Sequence, residues 1–323
     1  MMLFLALLAA FSLDTVAGYQ LPDEWAKAKI LSGLTVDETG RLWCLDPFAN
    51  RILTWNPRKG TINNLDIGMP EKRVRPIGFW LKDAKLYLTY APLPYLFIHD
   101  TLGCPLDTLL LDTAGCSVYP VAYPLVRPDG GFWIYTDRWT PELGYDYWLH
   151  YYAPDGRYVK SFFPMSNYAV EANLLRFLGM LAHPCSMDSS GGIWCCEPCS
   201  YLIWHFSSSG KFLGTIGVPP VGYKLPAPIS ASKAYGNDED VRKAYEDWSV
   251  NSDIFTDVYL GGGLILSCFV RRDSMGARKN YTQFYRVDGT FLGTAELSPD
   301  AIDDSGNIYL LERDSLIILR IKG

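Results

Sequence analysis

Between residues 40 and 55 the chain reads GRLWCLDPFANRILTW. A glycine is followed by Leu42 to Leu45, alternating as a half-buried strand does, then by a polar turn from Asp46 to Asn50 and a return from Arg51 to Trp55. The same order of turn, strand, turn and strand recurs. First turns fall at Gly40, Asp83-Ala84, Gly130, Gly191, Gly262 and Gly306, and the strands after them begin LWCLD, LYLTY, FWIYT, IWCCE, LILSC and IYLLE. Aligned in columns, the second position holds Trp43, Tyr87, Trp133, Trp194, Ile265 and Tyr309, and the third holds Cys44, Leu88, Ile134, Cys195, Leu266 and Leu310. Columns this uniform mark equivalent buried sites in a repeated unit.

A second hairpin follows at Gly60, Gly103, Gly156, Gly210 and Gly289. Two hairpins make one four-stranded antiparallel sheet. Six such sheets around an axis predict an all-β fold, a six-bladed β-propeller. The blades are expected near 33–68, 76–112, 121–163, 181–217, 254–296 and 300–323. The last unit ends after three strands, so an N-terminal strand is expected to join it and close the ring, with residues 26–32 the candidate. Two long connections carry helical patterns: 164–181, and 218–253, where Asn237 stands as a cap and Val241, Tyr245 and Trp248 share a stripe. Both helices are expected to cover apolar surface at the rim.

Residues 1–18 begin with an apolar run to Phe11 and continue to the small residues Val16, Ala17 and Gly18, the pattern of a cleaved secretory signal. The run is too short to span a bilayer, and nothing later is longer. The chain is therefore expected to be secreted or periplasmic, without a membrane span, and to act as a monomer. At 323 residues and 49% hydrophobic it can bury a large core. A net charge of −6 with no basic run argues against a nucleic-acid partner. Asn280-Tyr281-Thr282 is a lone glycosylation sequon.

The GRLWCLDPFANRI stretch resembles the NHL repeat, with Gly40, Trp43, Asp46, Asn50, Arg51 and Ile52 at the matching positions. Blades four and six keep the glycine, the aromatic and an acid but read Ser-Tyr-Leu and Ser-Leu-Ile for Asn-Arg-Ile. The resemblance, to divergent NHL-like six-bladed propellers, implies the fold. It leaves function open, because propellers of this kind bind, scaffold, hydrolyse and act as lyases.

Lyases of this fold hold a metal with channel histidines. Here His99, His150 and His205 fall in third strands and only His183 is placed at the channel mouth, so no histidine metal site is expected. Calcium-dependent hydrolases gather oxygen ligands at the axis, and Asp253, Asp257 and Asp300 are the acids near first strands that would serve in that case. Asp46, Asp137, Glu197 and Glu312 recur at the ends of second strands and are read as turn anchors. Of eight cysteines, Cys185, Cys195, Cys196 and Cys199 are the disulfide candidates, because the 188–192 turn folds Cys185 back beside Cys195. The loops expected on one face carry Arg75, Tyr119, Tyr123, Arg138, Trp139, Tyr145, Arg271 and Arg272, residue types that dominate binding hot spots. The resulting expectation is a non-enzymatic binding or scaffold module for a protein or small ligand, needing no cofactor. The alternative is a calcium-assisted, lactonase- or esterase-like hydrolase of the central channel.

Overall fold

The computed structural model describes residues 11–322 apart from 29–30, 69–73, 92, 113–116, 119–123, 136–137, 141–143, 146, 165–184, 198–199, 226, 231–232, 234–236 and 274–275. It contains six four-stranded antiparallel sheets, each in sequence order from the innermost strand outward except where the N-terminus joins the last. Blade one runs Ser32–Val36, Leu42–Asp46, Arg51–Asn56 and Thr61–Asp66. Innermost strands of the other blades are Arg75–Lys82, Pro124–Val126, Cys185–Met187, Ile254–Gly261 and Ala301–Ile302. Those of blades one and six touch, which closes the ring.

Alternation along each second strand explains the columns. Successive side chains point to opposite faces of a sheet, and in a propeller both faces meet another blade. Trp43 packs toward blade two with Phe79 and Leu88, while Cys44 packs toward blade six with Tyr309 and Leu316. Trp133, Trp194 and Tyr309 likewise face the following blade, and Ile134, Cys195 and Leu310 the preceding one. Six apolar clusters result, one at each junction between neighbouring blades.

Blade five departs from the expected column. Its two-residue turn pairs Gly261 with Leu264, so Leu266 faces blade six and Ile265 faces blade four, the reverse of the other units. The equivalent of Trp43 is therefore Leu266, and the third column there holds the fully buried Ser267. At this turn a Cβ on Gly262 would collide with the backbone of Gly306, so the hairpins of blades five and six meet backbone to backbone.

Closure is N-terminal, as expected, but by a different segment. Leu13–Gln20 pairs antiparallel with Ser315–Ile321, from Leu13 opposite Ile321 to Gln20 opposite Ser315. Residues 26–32 do not supply the strand. Asp23–Ala26 is a short helix whose buried Trp25 sits 5.8 Å from the Trp55 ring, and Ser32 already begins blade one. Phe11 packs on Phe284 at 4.7 Å between ring centres. Residues 13–18 thus belong to blade six while Phe11 packs on blade five, and a signal cut after Gly18 would leave only Tyr19 and Gln20 of the closing strand. Residues 1–10 lie outside the described residues.

The helix expected at 164–181 also lies outside the described residues. The second is present as Asp238–Asn251, capped by the Asn237 side chain accepting from the backbone N–H of Glu239 and Asp240. Its Ala244 and Trp248 are buried against blades three and four, with Val241 beside them, so it covers apolar surface as anticipated.

Candidate functional site

Second strands end, and innermost strands begin, at the same face of the ring, because the two are antiparallel neighbours. From that face an axial channel enters between the innermost strands, with a cavity of about 360 Å³. Its wall is apolar and aromatic for the most part, including Leu31, Phe79, Trp80, Leu125 and Tyr259. Two carboxylates interrupt it: Asp257, from the innermost strand of blade five, and Asp300, from the residue before that of blade six.

Asp257 faces the axis because a bulge between Phe255 and Asp257 resets the alternation of its strand. Asp300 accepts a hydrogen bond from the Leu311 backbone N–H at 2.7 Å. Both acids are half-buried, and the surface they retain opens into the channel. Burial pushes Asp257 up to about 6, with the Thr256 hydroxyl and the Arg278 charge acting in the opposite direction. Burial likewise pushes Asp300 up to about 6, opposed by the Leu311 N–H and reinforced by the neighbouring Asp257 charge. Among the described residues, no lysine or arginine lines the channel.

Asp253 does not join this pair. It is fully buried and grips Arg271, whose Nε lies 2.8 Å and whose outer nitrogen lies 2.5 Å from its two oxygens, while the Lys224 N–H donates to it as well. Arg271 also donates to the Val221 carbonyl at 2.9 Å. Both residues, expected at a metal site and a docking face respectively, instead pin the 218–253 connection to blade five. Calcium takes six to eight oxygens. With Asp253 removed, two channel carboxylates remain, and no group of three or more His, Cys, Asp or Glu able to hold a metal occurs among the described residues. The expected three-acid calcium set is therefore not formed.

Of the docking residues, Arg75 is exposed and lies over the Phe48 ring at 4.6 Å, and Arg272 donates to the Gly276 carbonyl. Arg138, Trp139 and Tyr145 come together on a small extra sheet of Ser117–Val118, Arg138–Thr140 and Gly144–Tyr145, where Trp139 pairs with both Ser117 and Tyr145. This sheet follows the second strand of blade three along the chain. Tyr119, Tyr123, His183 and Cys199 lie outside the described residues. The other three histidines stand in third strands as expected, His205 stacked on Trp194 at 3.8 Å between ring centres.

Of the recurring acids, Asp137 lies outside the described residues. Asp46 is a turn anchor as anticipated, accepting from the N–H groups of Phe48 and Ala49 and from Arg51. A second set passed over in the sequence does more. Asp37, Asp188 and Asp303 each stand three residues before a turn glycine and gather several donors. Trp80, an aromatic on an innermost strand, also lines the channel wall without standing out in the repeat.

No protein-family model matches the chain, and no curated protein does. Solved structures match its shape. A member of the DUF4221 family from Bacteroides vulgatus aligns over 97% of this chain and 98% of its own, with TM-score 0.63 and 9% identity. A "putative exported protein" from Bacteroides fragilis aligns over 96% of both chains, with TM-score 0.64 and 12% identity. A catalytically inactive virginiamycin B lyase from Staphylococcus aureus, solved with quinupristin, aligns over 97% and 100%, with TM-score 0.51 and 16% identity. At these identities the likeness is one of fold. Among the described residues, no helix is long and apolar enough to cross a membrane.

Proposed function

We propose that this NHL-like propeller is an exported binding protein whose axial channel takes a small organic cation, such as an amine on an apolar frame. The observation that carries the reading is the channel itself: two carboxylates among aromatic and aliphatic side chains, with no lysine or arginine in the lining among the described residues. Two anions facing an apolar cavity repel one another and lack solvation. A protonated amine supplies the missing charge, and Trp80 and Tyr259 offer aromatic faces of the kind that attract cations. The cavity of about 360 Å³ lies at the small end of the range for ligand pockets, which suits a compact guest. Export, in this reading, is carried by the apolar N-terminal run, and processing spares Leu13–Gln20, which pairs with the last strand of blade six.

Thermal-shift titration with small amines and their neutral alcohol counterparts tests the proposal. Amines should raise the melting temperature at pH 7.5 but not at pH 4.5, alcohols should do so at neither, and Asp257→Asn with Asp300→Asn should abolish the response. Equal responses to amine and alcohol would sink it. A response to calcium instead, accompanied by turnover of an ester or lactone panel, would transfer the channel to the hydrolase alternative.

A further inference from the structure

We propose that Cys185 and Cys195 form a cross-strand disulfide in the wall of the channel. The two residues are direct partners in the hairpin that joins the first and second strands of blade four. At the base of this hairpin the Asp188 N–H bonds the Gly192 carbonyl, which makes that pair a hydrogen-bonded one. Alternation then makes Met187 and Ile193 a non-hydrogen-bonded pair, Ser186 and Trp194 a hydrogen-bonded one, and Cys185 and Cys195 non-hydrogen-bonded again. At such a site the Cα atoms stand about 4.5 Å apart with side chains on the same face, inside the span that a disulfide bridges. The sulfurs are already in contact, at 2.6 Å.

The pairing is selective among the described cysteines. Cys196, next in sequence, points to the opposite face and packs between blades four and five, while Cys44, Cys104 and Cys268 belong to blades one, two and five. Cys185 borders the axial cavity, and Cys195 is fully buried among the side chains shared by blades three and four. The bond therefore ties the channel wall to the core behind it.

The chemistry is thiol–disulfide exchange with a small-molecule or protein disulfide as acceptor. One cysteine thiolate attacks the acceptor and releases one acceptor thiol. The second cysteine then displaces the other, so two protein thiols are oxidised, one acceptor disulfide is reduced, and the two protons end on the acceptor thiols. Burial holds both thiols above the usual thiol range, Cys185 further raised by its contact with Cys195, so thiolate is scarce in the folded protein at neutral pH. The bond therefore forms while the hairpin is assembling in an oxidising environment, and afterwards only reductants small enough to enter the channel reach it.

The test uses the full chain refolded in a glutathione redox buffer, then denatured and treated with N-ethylmaleimide without reductant. Peptide mass spectrometry should find Cys185 and Cys195 unlabelled and joined, and Cys44, Cys104, Cys196 and Cys268 labelled. Prior reduction should expose the pair and lower the melting temperature by about 5 °C. In the Cys195→Ala variant Cys185 should become labelled while the remaining pattern stays the same. Full labelling of Cys185 and Cys195 in the oxidised wild-type chain overturns the proposal, as does a linked peptide that pairs either with another cysteine. Amine binding plays no part in this readout, so the two proposals stand or fall separately.

Discussion

Aspartate serves two opposite ends in this ring. At the hairpin turns, Asp37 accepts from the Thr39 N–H at 2.9 Å, the Thr39 hydroxyl at 2.7 Å, the Arg41 N–H at 3.0 Å and the Trp43 indole at 2.9 Å. Burial alone would raise it, but these donors outweigh burial and hold it below the ordinary carboxylate range; Asp188 behaves in the same way. In the channel, Asp257 and Asp300 meet few donors and an apolar wall, and both are pushed up to about 6. What differs is whether the chain supplies donors or removes water, and so one set stabilises the fold as an anion while the other opposes it.

The largest effect should come from the turn set. Asp37→Ala removes the acceptor of four hydrogen bonds and leaves the indole N–H of the buried Trp43 without it. A loss of about 2–3 kcal/mol in denaturant unfolding is expected, with Asp37→Asn recovering part of it. A loss under about 0.5 kcal/mol would mean that the turn folds by its glycine alone and would collapse the distinction.

Next in size is the opposite sign in the channel. A carboxyl whose folded pKa is raised contributes stability below its unfolded pKa and loses that contribution as pH climbs toward 6. Asp300→Asn keeps an acceptor for the Leu311 N–H but never ionises. It should therefore stabilise the protein by about 1–2 kcal/mol at pH 7.5 and leave it unchanged at pH 4. Asp37 and Asp188 run the other way: their contribution is complete above the unfolded pKa and is lost as pH falls through the lowered folded value. Wild-type stability should then peak at about pH 4 and decline as pH rises toward 6, and chemical denaturation across pH would show it. Destabilisation by Asp300→Asn at pH 7.5 would place that residue with the turn acids.

The sequence displays these two sets unequally. Repetition makes the fold legible, since six turns and two buried columns can be laid over one another, and alternation puts Trp43 and Cys44 on opposite faces of their blade. Adjacent glycines defeat the same logic in blade five. Starting the column from Gly262 rather than Gly263 slips it by one residue, which inverts both faces, and only the pairing of Gly261 with Leu264 decides between them. The closing strand stays hidden because Leu13–Gln20 follows an apolar run that reads as part of a leader. Asp253, Asp257 and Asp300 all stand near first strands in the sequence. The bulge after Phe255, invisible in composition, turns Asp257 to the axis, and Arg271, 18 residues away along the chain, takes Asp253 out of it. A channel is built from the irregularities that a repeat does not predict.

The smallest effect tests whether the turn acids act on the buried columns or on the turns alone. In blade one the Trp43 indole donates to Asp37, and in blade six the Tyr309 hydroxyl donates to Asp303 at 2.8 Å, so chemically different aromatics in the same column reach the same acid position. Trp43→Phe and Tyr309→Phe each delete that one bond; the tyrosine change keeps its ring, while the tryptophan change also loses ring volume. A bond from a buried donor to a charged acceptor is worth about 1–2 kcal/mol, and each acid keeps its remaining donors. Tyr309→Phe should cost about 1 kcal/mol, and Trp43→Phe somewhat more because a cavity is added. In an Asp303→Asn background the cost of Tyr309→Phe should fall, since a neutral acceptor makes a weaker bond. If that cost is unchanged, the hydroxyl contributes through packing, and the reach of the turn acids stops at the backbone of their own hairpins.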